Sequence, residues 1–368
     1  MQSPRLDTDR VPGTEGLREV GRPPRSRRLS VAVAAILSLL TFLGVQVAGQ
    51  QVAGADTIIG SGFSFPWGVA VDSSGNVYVA DTNNSRVEEV TPGGVQTTIG
   101  SGFNKETGVA VDSSGNVYLA DTDNNRIEEV TPGGVQTTIG SFSAIWGVAV
   151  DSARNLYLTT GSQVVKITPG GVQTTIASGL DGPTGVAVDA FGNVYGANSN
   201  NGQVVKITPG GVQTTIGSGF NGSWDVAVDS SGNVFVADLF NNRVEEVTPG
   251  GVQATIGSGF KQPGGVAVDS SGNVYVADTG NSRIVEVPPT PSIASFSPAS
   301  GPVGTVVTLR GVNFLGATKV TVNGVTTTIK ADTATKIKIT VPAGATTGKI
   351  KVFTPLGKAK TATVFTVT

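Results

Sequence analysis

"GVAVDSSGNVYVADTNNSRVEEVTPGGVQTTIG", residues 68–100, recurs along the chain and decides its fold. The segment "VAVD" ends at Asp72. Its counterparts end at Asp112, Asp151, Asp189, Asp229 and Asp269. Self-similarity at a fixed spacing of about 40 residues indicates a repeat architecture, in which each unit is one supersecondary structure.

Each repeat has the pattern of four short strands, which we call a to d. In the first repeat they are "GVAVD", "VYVAD", "RVEEV" and "VQTTIG". These segments are rich in β-branched residues, and Gly-containing turns separate most of them, as expected of antiparallel strands. Four strands in about 40 residues are typical of a β-propeller blade, with an open solenoid as the alternative.

The two ends of the array favour the closed ring. A lone d-like segment, "DTIIG", begins at Asp56 before the first repeat, and the last repeat stops after its strand c, at Val287. The N-terminal strand can therefore complete the sixth blade, and closure hides the sheet edges that an open array would expose. We predict an all-β fold with a six-bladed propeller over residues 56–287.

The residues after the propeller have a different composition. A stiff "PPTP" linker, residues 288–291, precedes residues 292–368, where Val, Thr and alternating Lys predict an immunoglobulin-like β-sandwich. Residues 56–289 carry 22 acidic and 9 basic residues, whereas residues 290–368 carry 1 acidic and 9 basic residues. The basic residues are Arg310, Lys319, Lys330, Lys336, Lys338, Lys349, Lys351, Lys358 and Lys360. They suit contact with an anionic wall polymer or the acidic propeller, or simply a solvated strand face.

The N-terminal 55 residues have the pattern of an export signal or an N-terminal anchor. A polar leader rich in Arg ends in "RSRR", and the uncharged stretch Leu29–Ala48 follows. "AGA" at residues 53–55 predicts cleavage before Asp56, and "SRRLSV" from Ser26 weakly resembles a twin-arginine signal. The alternative is an uncleaved membrane anchor. We expect a secreted or cell-surface protein, bound to the membrane only if the segment is not cleaved.

Both modules resemble known families. "GVAVDSSGNVYVADTNNSRV" and its copies resemble NHL repeats of secreted bacterial proteins, and "PSIASFSPASGPVGTVVTLRGVNF" from Pro291 resembles an IPT/TIG domain. The first resemblance implies a six-bladed propeller of a family that usually binds proteins, peptides, glycans or nucleic acid and includes a few enzymes. The second implies the immunoglobulin-like sandwich.

All three Trp residues occupy one repeat position. Trp67, Trp146 and Trp224 precede strand a in repeats one, three and five, where the other repeats have Thr107, Thr184 and Gly264. Alternate blades place them about 120° apart around the central opening of a six-bladed ring. They predict an aromatic platform for a sugar or a peptide, with Asp225 as a hydrogen-bond acceptor where other repeats have Gly. The alternative is that they pack between blades.

Four repeats share a pair of opposite charges. In these repeats strand b ends in Asp, and Arg follows five residues later. The pairs are Asp81 with Arg86, Asp121 with Arg126, Asp238 with Arg243, and Asp278 with Arg283. The third repeat has Thr160 and Gln163, and the fourth has Asn198 and Gln203. Because the two charges occur together or not at all, we predict four structural ion pairs. In the third repeat, Arg154 replaces a turn Gly, which predicts an altered or strained turn.

The chain has no Cys and no His, which excludes thiolate nucleophiles, His bases and Cys or His metal sites. Among enzymes that the resemblance suggests, the amidating and streptogramin lyases rely on His. Regucalcin-like lactonases hold a cation with Glu, Asn and Asp, but no lone Glu directly before the first repeat matches that pattern. Most acids recur in every repeat, as structural acids do. On the variable face of the d–a connections, Glu106, Asp181 and Asp225 break the repeat.

These observations predict an exported, non-catalytic binding module without catalytic residues, metal or cofactor. The expected partner is a protein, a peptide or a cell-envelope glycan, bound on the variable face of a monomer. Nucleic acid is not expected, because export is predicted and no aromatic residues were seen to interleave the bases. The alternatives are a hydrolase or lactonase that uses carboxylates or an oxygen-ligated metal, and a structural cell-surface spacer.

Overall fold

The computed structural model describes residues 56–368, apart from residues 252, 315, 334, 355 and 356. Its regular structure is almost entirely β-strand, as predicted. The expected export signal, its cleavage site and the alternative anchor all lie outside the described residues. Within the described ranges, no helix has the length and hydropathy needed to span a membrane.

Twenty-four short strands cover the repeats. In chain order they are β1 Thr57–Ser61, β2 Pro66–Val71, β3 Val77–Asp81, β4 Arg86–Val90, β5 Gln96–Ser101, β6 Glu106–Val111, β7 Val117–Asp121, β8 Arg126–Val130, β9 Gln136–Ser141, β10 Ile145–Val150, β11 Leu156–Thr160, β12 Gln163–Ile167, β13 Gln173–Ser178, β14 Pro183–Val188, β15 Val194–Asn198, β16 Gln203–Ile207, β17 Gln213–Ser218, β18 Ser223–Val228, β19 Val234–Asp238, β20 Arg243–Val247, β21 Gln253–Ile256, β22 Pro263–Val268, β23 Val274–Asp278 and β24 Arg283–Val287. Short 3-10 turns occur at Thr82–Asn84, Ser199–Asn201, Leu239–Asn241 and Thr279–Asn281.

These strands form six four-stranded antiparallel sheets. Sheets 1 to 5 are β2–β5, β6–β9, β10–β13, β14–β17 and β18–β21, and sheet 6 consists of β22, β23, β24 and β1. The N-terminal strand therefore completes the last sheet, with Thr57 opposite Glu286 and Ser61 opposite Arg283. Across the junction, the Thr279 hydroxyl of sheet 6 donates a 2.6 Å hydrogen bond to the Pro66 carbonyl of sheet 1. The ring closes as the sequence predicts.

The hydrophobic core of the propeller lies between neighbouring sheets. Ala80 and Val87 of sheet 1, for example, form one buried cluster with Phe103, Val109 and Leu119 of sheet 2. Equivalent clusters occupy the other junctions. Because each sheet buries both of its faces against its neighbours, the first strand of each sheet is held facing the central channel.

The turn between strands a and b explains the recurring Asp. Asp72 Oδ1 accepts hydrogen bonds from the backbone N–H groups of Ser74 at 2.8 Å and Asn76 at 2.9 Å, and Gly75 takes a φ of +83°. Arg154 takes the same left-handed conformation, at φ +62°, and its N–H still donates to the Asp151 carbonyl at 2.9 Å. The turn of the third repeat is thus unaltered, and Arg154 accepts the strain that Gly avoids.

The C-terminal domain is a two-sheet sandwich. Its strands are β25 Ser292–Ser297, β26 Ser300–Gly301, β27 Val306–Val312, β28 Lys319–Val322, β29 Val325–Thr327, β30 Ile329–Thr333, β31 Lys336–Thr340, β32 Ile350–Thr354, β33 Gly357–Lys360 and β34 Thr366–Val367. One sheet has the order β25-β27-β31-β30, the other β29-β28-β32-β33, and β26 pairs with β34. Leu309, Phe314, Ile337, Ile350 and Phe365 are fully buried between the sheets. This is the immunoglobulin-like fold predicted from the sequence.

Candidate functional site: the mouth of the central channel

The sheets approach each other most closely at the third residue of each innermost strand. A Cβ atom on Gly108 would lie 2.8 Å from the Trp146 carbonyl oxygen of the next sheet, closer than real Cβ atoms come to such an oxygen. The same position in the remaining sheets is occupied by Gly68, Gly147, Gly185, Asp225 and Gly265. Asp225 is therefore the one side chain in a layer that the packing otherwise reserves for Gly.

The Asp225 carboxylate turns toward sheet 6. Its Oδ1 accepts the N–H of Val226 at 2.9 Å, and its Oδ2 accepts the N–H of Val266 at 3.0 Å. On the other side, Gly185 lies directly against Asp225, and a Cβ there would overlap the carboxylate. The side chain thus fits into the Gly layer because its neighbour has no side chain and because two backbone donors receive its oxygens.

The Asp225 carboxyl has a raised pKa. Burial raises its pKa from 3.8 to about 7, and the two backbone hydrogen bonds offset only part of this effect. Within the described part of the chain, no Lys or Arg forms an ion pair with it. A carboxyl with a pKa near neutrality is suited to accept and return a proton.

The three Trp residues lie one position earlier and meet across the ring. The ring centroids of Trp67 and Trp224 are 5.0 Å apart at 82°, and those of Trp146 and Trp224 are 5.8 Å apart at 88°. The indoles therefore form one edge-to-face cluster centred on Trp224, whereas the sequence placed them as three separate positions. All three remain partly exposed, and Trp67 Nε1 is buried without a hydrogen-bond partner among the described residues. Their role as a binding platform stays a prediction.

Two side chains that the sequence did not indicate complete the rim. Phe65 stacks on Trp67 with a centroid distance of 5.1 Å, and Lys105 Nζ lies 5.1 Å from the centroid of the Trp146 ring. Both immediately precede an innermost strand and take positive φ, at +57° and +56°. Their unusual backbone conformation is not visible in the sequence, but their place in the divergent d–a connections was a usable signal.

A small cavity lies at the level of the Gly layer. Its volume is about 50 Å³, which suits one or two water molecules. Trp146, Trp224, Thr107, Thr184 and Asp225 line it together with Gly and Val residues of the innermost strands. Asp225 is the one titratable residue in this lining.

The other two acids that break the repeat lie elsewhere. Glu106 is fully buried at the start of β6, and neither of its oxygens has a hydrogen-bond partner of normal geometry in the described structure. Burial raises its pKa from 4.5 to about 7, the N–H groups of Glu106 and Arg86 lower it, and the nearby Asp121 and Asp81 raise it further. Asp181 is exposed and accepts the Asn200 amide at 3.1 Å. Neither residue lines the cavity.

The residues at the mouth do not fit a divalent cation. Ca²⁺ takes six to eight oxygen ligands. Here Asp225 supplies the one carboxylate, and the other side chains that line the cavity belong to Thr, Trp and Val residues. Among the residues described, no group of three or more acidic side chains is placed to hold a metal ion.

The predicted Asp and Arg partners lie next to each other in all four sheets. Each Arg Nε is 2.7–2.8 Å from its Asp Oδ2, and the Asp side chains are fully buried. The other oxygen of the Asp holds the d–a connection, as Asp81 Oδ1 does by accepting the Ser64 N–H at 2.6 Å. In sheet 4, Asn198 Oδ1 accepts the Asp181 N–H at 2.6 Å in the same way. These residues position the variable connections around the mouth.

Comparison with known families agrees with this architecture. The NHL repeat family matches residues 63–88, 107–128 and 260–286, and the IPT/TIG domain family matches residues 291–367. The chain therefore carries NHL repeats and a C-terminal TIG domain. None of the curated proteins compared with it matches its sequence.

Solved structures share the fold of the NHL propeller. A gluconolactonase from Xanthomonas campestris is 13% identical, with a TM-score of 0.57 over 63% of this chain and 89% of that chain. A structure described as a putative gluconolactonase is 15% identical, with a TM-score of 0.54 over 67% of this chain and 94% of that one. A streptogramin B lyase is 12% identical, with a TM-score of 0.49 over 63% and 96% of the two chains. At these identities the two matches with TM-scores above 0.5 establish the fold.

The prediction of a non-catalytic binding module is wrong. The propeller shares its fold with structures described as a gluconolactonase and a putative gluconolactonase. The prediction rested on the acids that recur in every repeat, although Glu106, Asp181 and Asp225 were named as the acids that break it. Asp225 breaks the repeat, lines the channel cavity and has a pKa raised to about 7.

Proposed function

We propose that the propeller is a hydrolase of esters or lactones, that its substrate binds at the mouth of the central channel, and that Asp225 transfers the proton. The observation that carries this proposal is the place of Asp225, the single titratable group of a water-sized cavity in a layer of Gly. The likeness to lactonase structures supports the same reaction class. The oxygen-ligated metal of such enzymes has no matching ligand set here, so the proposed chemistry uses the carboxylate.

In the proposed reaction, Asp225 acts as a general base. The ionised carboxylate accepts a proton from a water molecule in the cavity while the water oxygen attacks the acyl carbon of the substrate. The C–O bond to the leaving alcohol then breaks, and the proton passes from Asp225 to that alkoxide. The products are a carboxylic acid and an alcohol, which are joined in one molecule when the substrate is a lactone. A base with a pKa near the working pH is best suited to this role.

The residues around the mouth fit a small polar substrate. Exposed parts of the Trp cluster offer rigid apolar surface. Lys105, at the rim above Trp146, forms an ion pair with Asp123 at 3.7 Å and adds a cation to this edge of the mouth. These features support acyl substrates with a ring that lies flat on an indole.

The test is a hydrolysis assay with a panel of sugar lactones, simple lactones and aryl esters. Asp225→Asn removes the base, and Asp225→Gly restores the residue of the other five repeats, so both variants should fold. We expect both to lose about 10²–10⁴-fold in rate, the usual contribution of a general base. Asp181→Asn, which removes an acid of the same face outside the cavity, should keep the full rate. Absence of any hydrolysis by the folded protein, or a full rate in Asp225→Gly, would overturn the proposal.

We propose further that the protein acts outside the cytoplasm, since its N-terminal 55 residues have the pattern of an export signal. Mass spectrometry of the exported protein tests this. Cleavage before Asp56 is the expected result. A mature chain that retains Leu29–Ala48 would contradict the cleavage and favour the anchor.

A further inference from the structure

The sheet β29-β28-β32-β33 of the TIG domain has a strongly cationic outer face. Alternation along its strands directs Val320, Val322, Ile350, Val352 and Ala359 into the core. The residues between them therefore lie on the opposite face, since successive side chains of a strand alternate between faces. They include Lys319, Lys351, Phe353, Lys358 and Lys360, which we call the lysine face. Its four Lys are exposed, and Phe353 is partly exposed.

Strand register brings these residues into two rows. Lys319 and Lys358 lie on either side of Phe353, each directly opposite it. In the next row Lys351 is directly opposite Lys360. Like charges opposite each other across antiparallel strands destabilise a sheet. Lys319 Nζ is 5.6 Å from the centroid of the Phe353 ring, so the aromatic ring lies among the charges.

Nothing in the domain offsets this charge. Residues 290–368 contain one acid, Asp332, and it belongs to β30 of the other sheet, opposite Ile337. Among the described residues, the ion pairs of the protein all lie in the propeller, where Arg86, for example, is paired with Asp81 and Glu88. The propeller thus pairs its Arg side chains, whereas the lysine face gathers cations without an acid.

The sequence predicts no aromatic residue interleaved with the bases of this domain, and the structure corrects this. Phe353 lies between Lys319 and Lys358 across three neighbouring strands. The lysine face therefore combines point charges with one apolar ring.

We infer that the lysine face binds an acidic polysaccharide whose sugar rings carry carboxylates. The ammonium groups meet the carboxylates, and the Phe353 ring offers apolar surface to the flat side of a sugar. Single-stranded nucleic acid fits less well, because its binding sites stack successive bases on several aromatic rings in a groove. This inference concerns the TIG domain and does not rest on the hydrolase proposed for the propeller.

The test is affinity electrophoresis of the full chain in gels that contain polygalacturonate. The triple variant Lys351→Gln, Lys358→Gln and Lys360→Gln removes three charges from the lysine face. The matched control, Lys330→Gln, Lys336→Gln and Lys338→Gln, removes three charges from the other sheet. We expect the first variant to lose about tenfold in affinity and the control to stay within about twofold of the wild type, since exposed charge pairs act locally in salt solution. Phe353→Leu should weaken binding to polygalacturonate and leave binding to polyphosphate unchanged.

Further gels contain neutral galactan, polyphosphate or single-stranded DNA, and thermal unfolding confirms that each variant folds. The variant Lys360→Thr should unfold at a higher temperature than the wild type while binding less polysaccharide, because it removes a like-charge pair. If both triple variants lost the same affinity for polygalacturonate, binding would depend only on the net charge of the domain, and the inference would be overturned. Absence of retardation by polygalacturonate, or tighter binding to polyphosphate or DNA than to the polysaccharide, would also overturn it.

Discussion

The Asp225 carboxylate accepts the Val266 N–H at 3.0 Å and so links sheet 5 to sheet 6 inside the Gly layer of the propeller. Every other sheet makes the same close approach with Gly, which has no carboxyl to desolvate. Burying this group disfavours its charged form, as the pKa raised to about 7 indicates. A residue that breaks a structural rule at a cost to folding is where function is to be sought.

The first prediction concerns stability and pH. The pKa of Asp225 is about 7 in the folded protein and near 3.8 in the unfolded chain. The stability associated with the protonated group is complete below about pH 4 and is lost as the pH rises to about 7. Relative to Asp225→Gly, the wild type should therefore lose free energy of unfolding between these values and change little above them. Urea unfolding of both proteins at several pH values measures this, and parallel curves would contradict the raised pKa.

The second prediction concerns the rate of the proposed hydrolysis. Because the base must be ionised to accept a proton, kcat/KM should rise with pH and level off above about pH 7, following the pKa of Asp225. Stopped-time lactone assays from about pH 5 to about pH 9, corrected for uncatalysed hydrolysis, give the profile. In Asp181→Asn the profile should be unchanged. A rate that falls as the pH rises through 7 would assign the chemistry to an acid instead.

The third prediction concerns Glu106, a buried carboxyl without normal hydrogen bonds. Pro66, Pro183 and Pro263 occupy its position in three other repeats, so Glu106→Pro places a residue that this backbone already accepts. Removing an unsatisfied buried group should stabilise the protein by about 1–3 kcal/mol at pH 8. The gain should shrink toward pH 5, because the pKa of Glu106 is raised to about 7 and the protonated side chain is buried at lower cost. Denaturant unfolding at the two pH values checks this, and an equal gain at both would be inconsistent with the titration.

The sequence predicted the parts of this protein that repetition makes visible. The period of the repeats, the lone strand at Thr57–Ser61 and the missing last strand sufficed for the closed ring. Asp and Arg are both present in four repeats and both absent from the other two. This joint variation between the repeats predicted that the two residues contact each other. Comparison of repeats also singled out Asp225 and the Trp positions.

What the sequence could not give is how side chains meet across the channel. Trp67 and Trp224 are 157 residues apart in numbering, and their edge-to-face contact depends on how far each indole reaches toward the axis. The stacking of Phe65 on Trp67 depends on the positive φ of Phe65, and the residue type does not predict this backbone conformation. The pKa of Asp225 depends on how closely neighbouring sheets approach each other. The recurring Gly is consistent with a close approach, but its distance is known only from the structure.

The fourth prediction uses the natural variation between sheets at the Asp–Arg pairs. Arg86→Gln leaves the buried Asp81 without its cation, and we expect it to destabilise the protein by about 2 kcal/mol. Adding Asp81→Asn reproduces the Asn198 and Gln203 combination of sheet 4 and should recover part of the loss. Unfolding free energies of the wild type, both single variants and the double variant give a coupling energy, expected at about 0.5–3 kcal/mol. Strict additivity of the two single effects would show that the charges do not act as a pair.

The fifth prediction concerns Arg154, whose guanidinium joins sheet 3 to sheet 2. Its Nη2 lies 2.9 Å from Glu129 Oε1 and 3.0 Å from the Tyr118 hydroxyl, and its Nε lies 3.1 Å from Asp112 Oδ2. Its backbone is nevertheless held at φ +62°, where Gly is favoured. The side-chain contacts of Arg154 therefore stabilise the protein while its backbone conformation destabilises it. Two substitutions separate these effects.

Arg154→Gly loses the contacts and relieves the strain, whereas Arg154→Ala loses the contacts and keeps the strain. Ala should therefore be less stable than Gly by about 1–2 kcal/mol, the cost of a left-handed conformation with a Cβ atom. The difference between the wild type and Gly should be within about 1 kcal/mol, because the Arg side chain is half exposed and its ion pairs are screened. Equilibrium urea unfolding at low and high salt measures both differences. Added salt should lower the stability of the wild type more than that of either variant, which keeps only the other ion pairs of the propeller. Equal stability of the Gly and Ala variants would mean that the turn relaxes without its Gly.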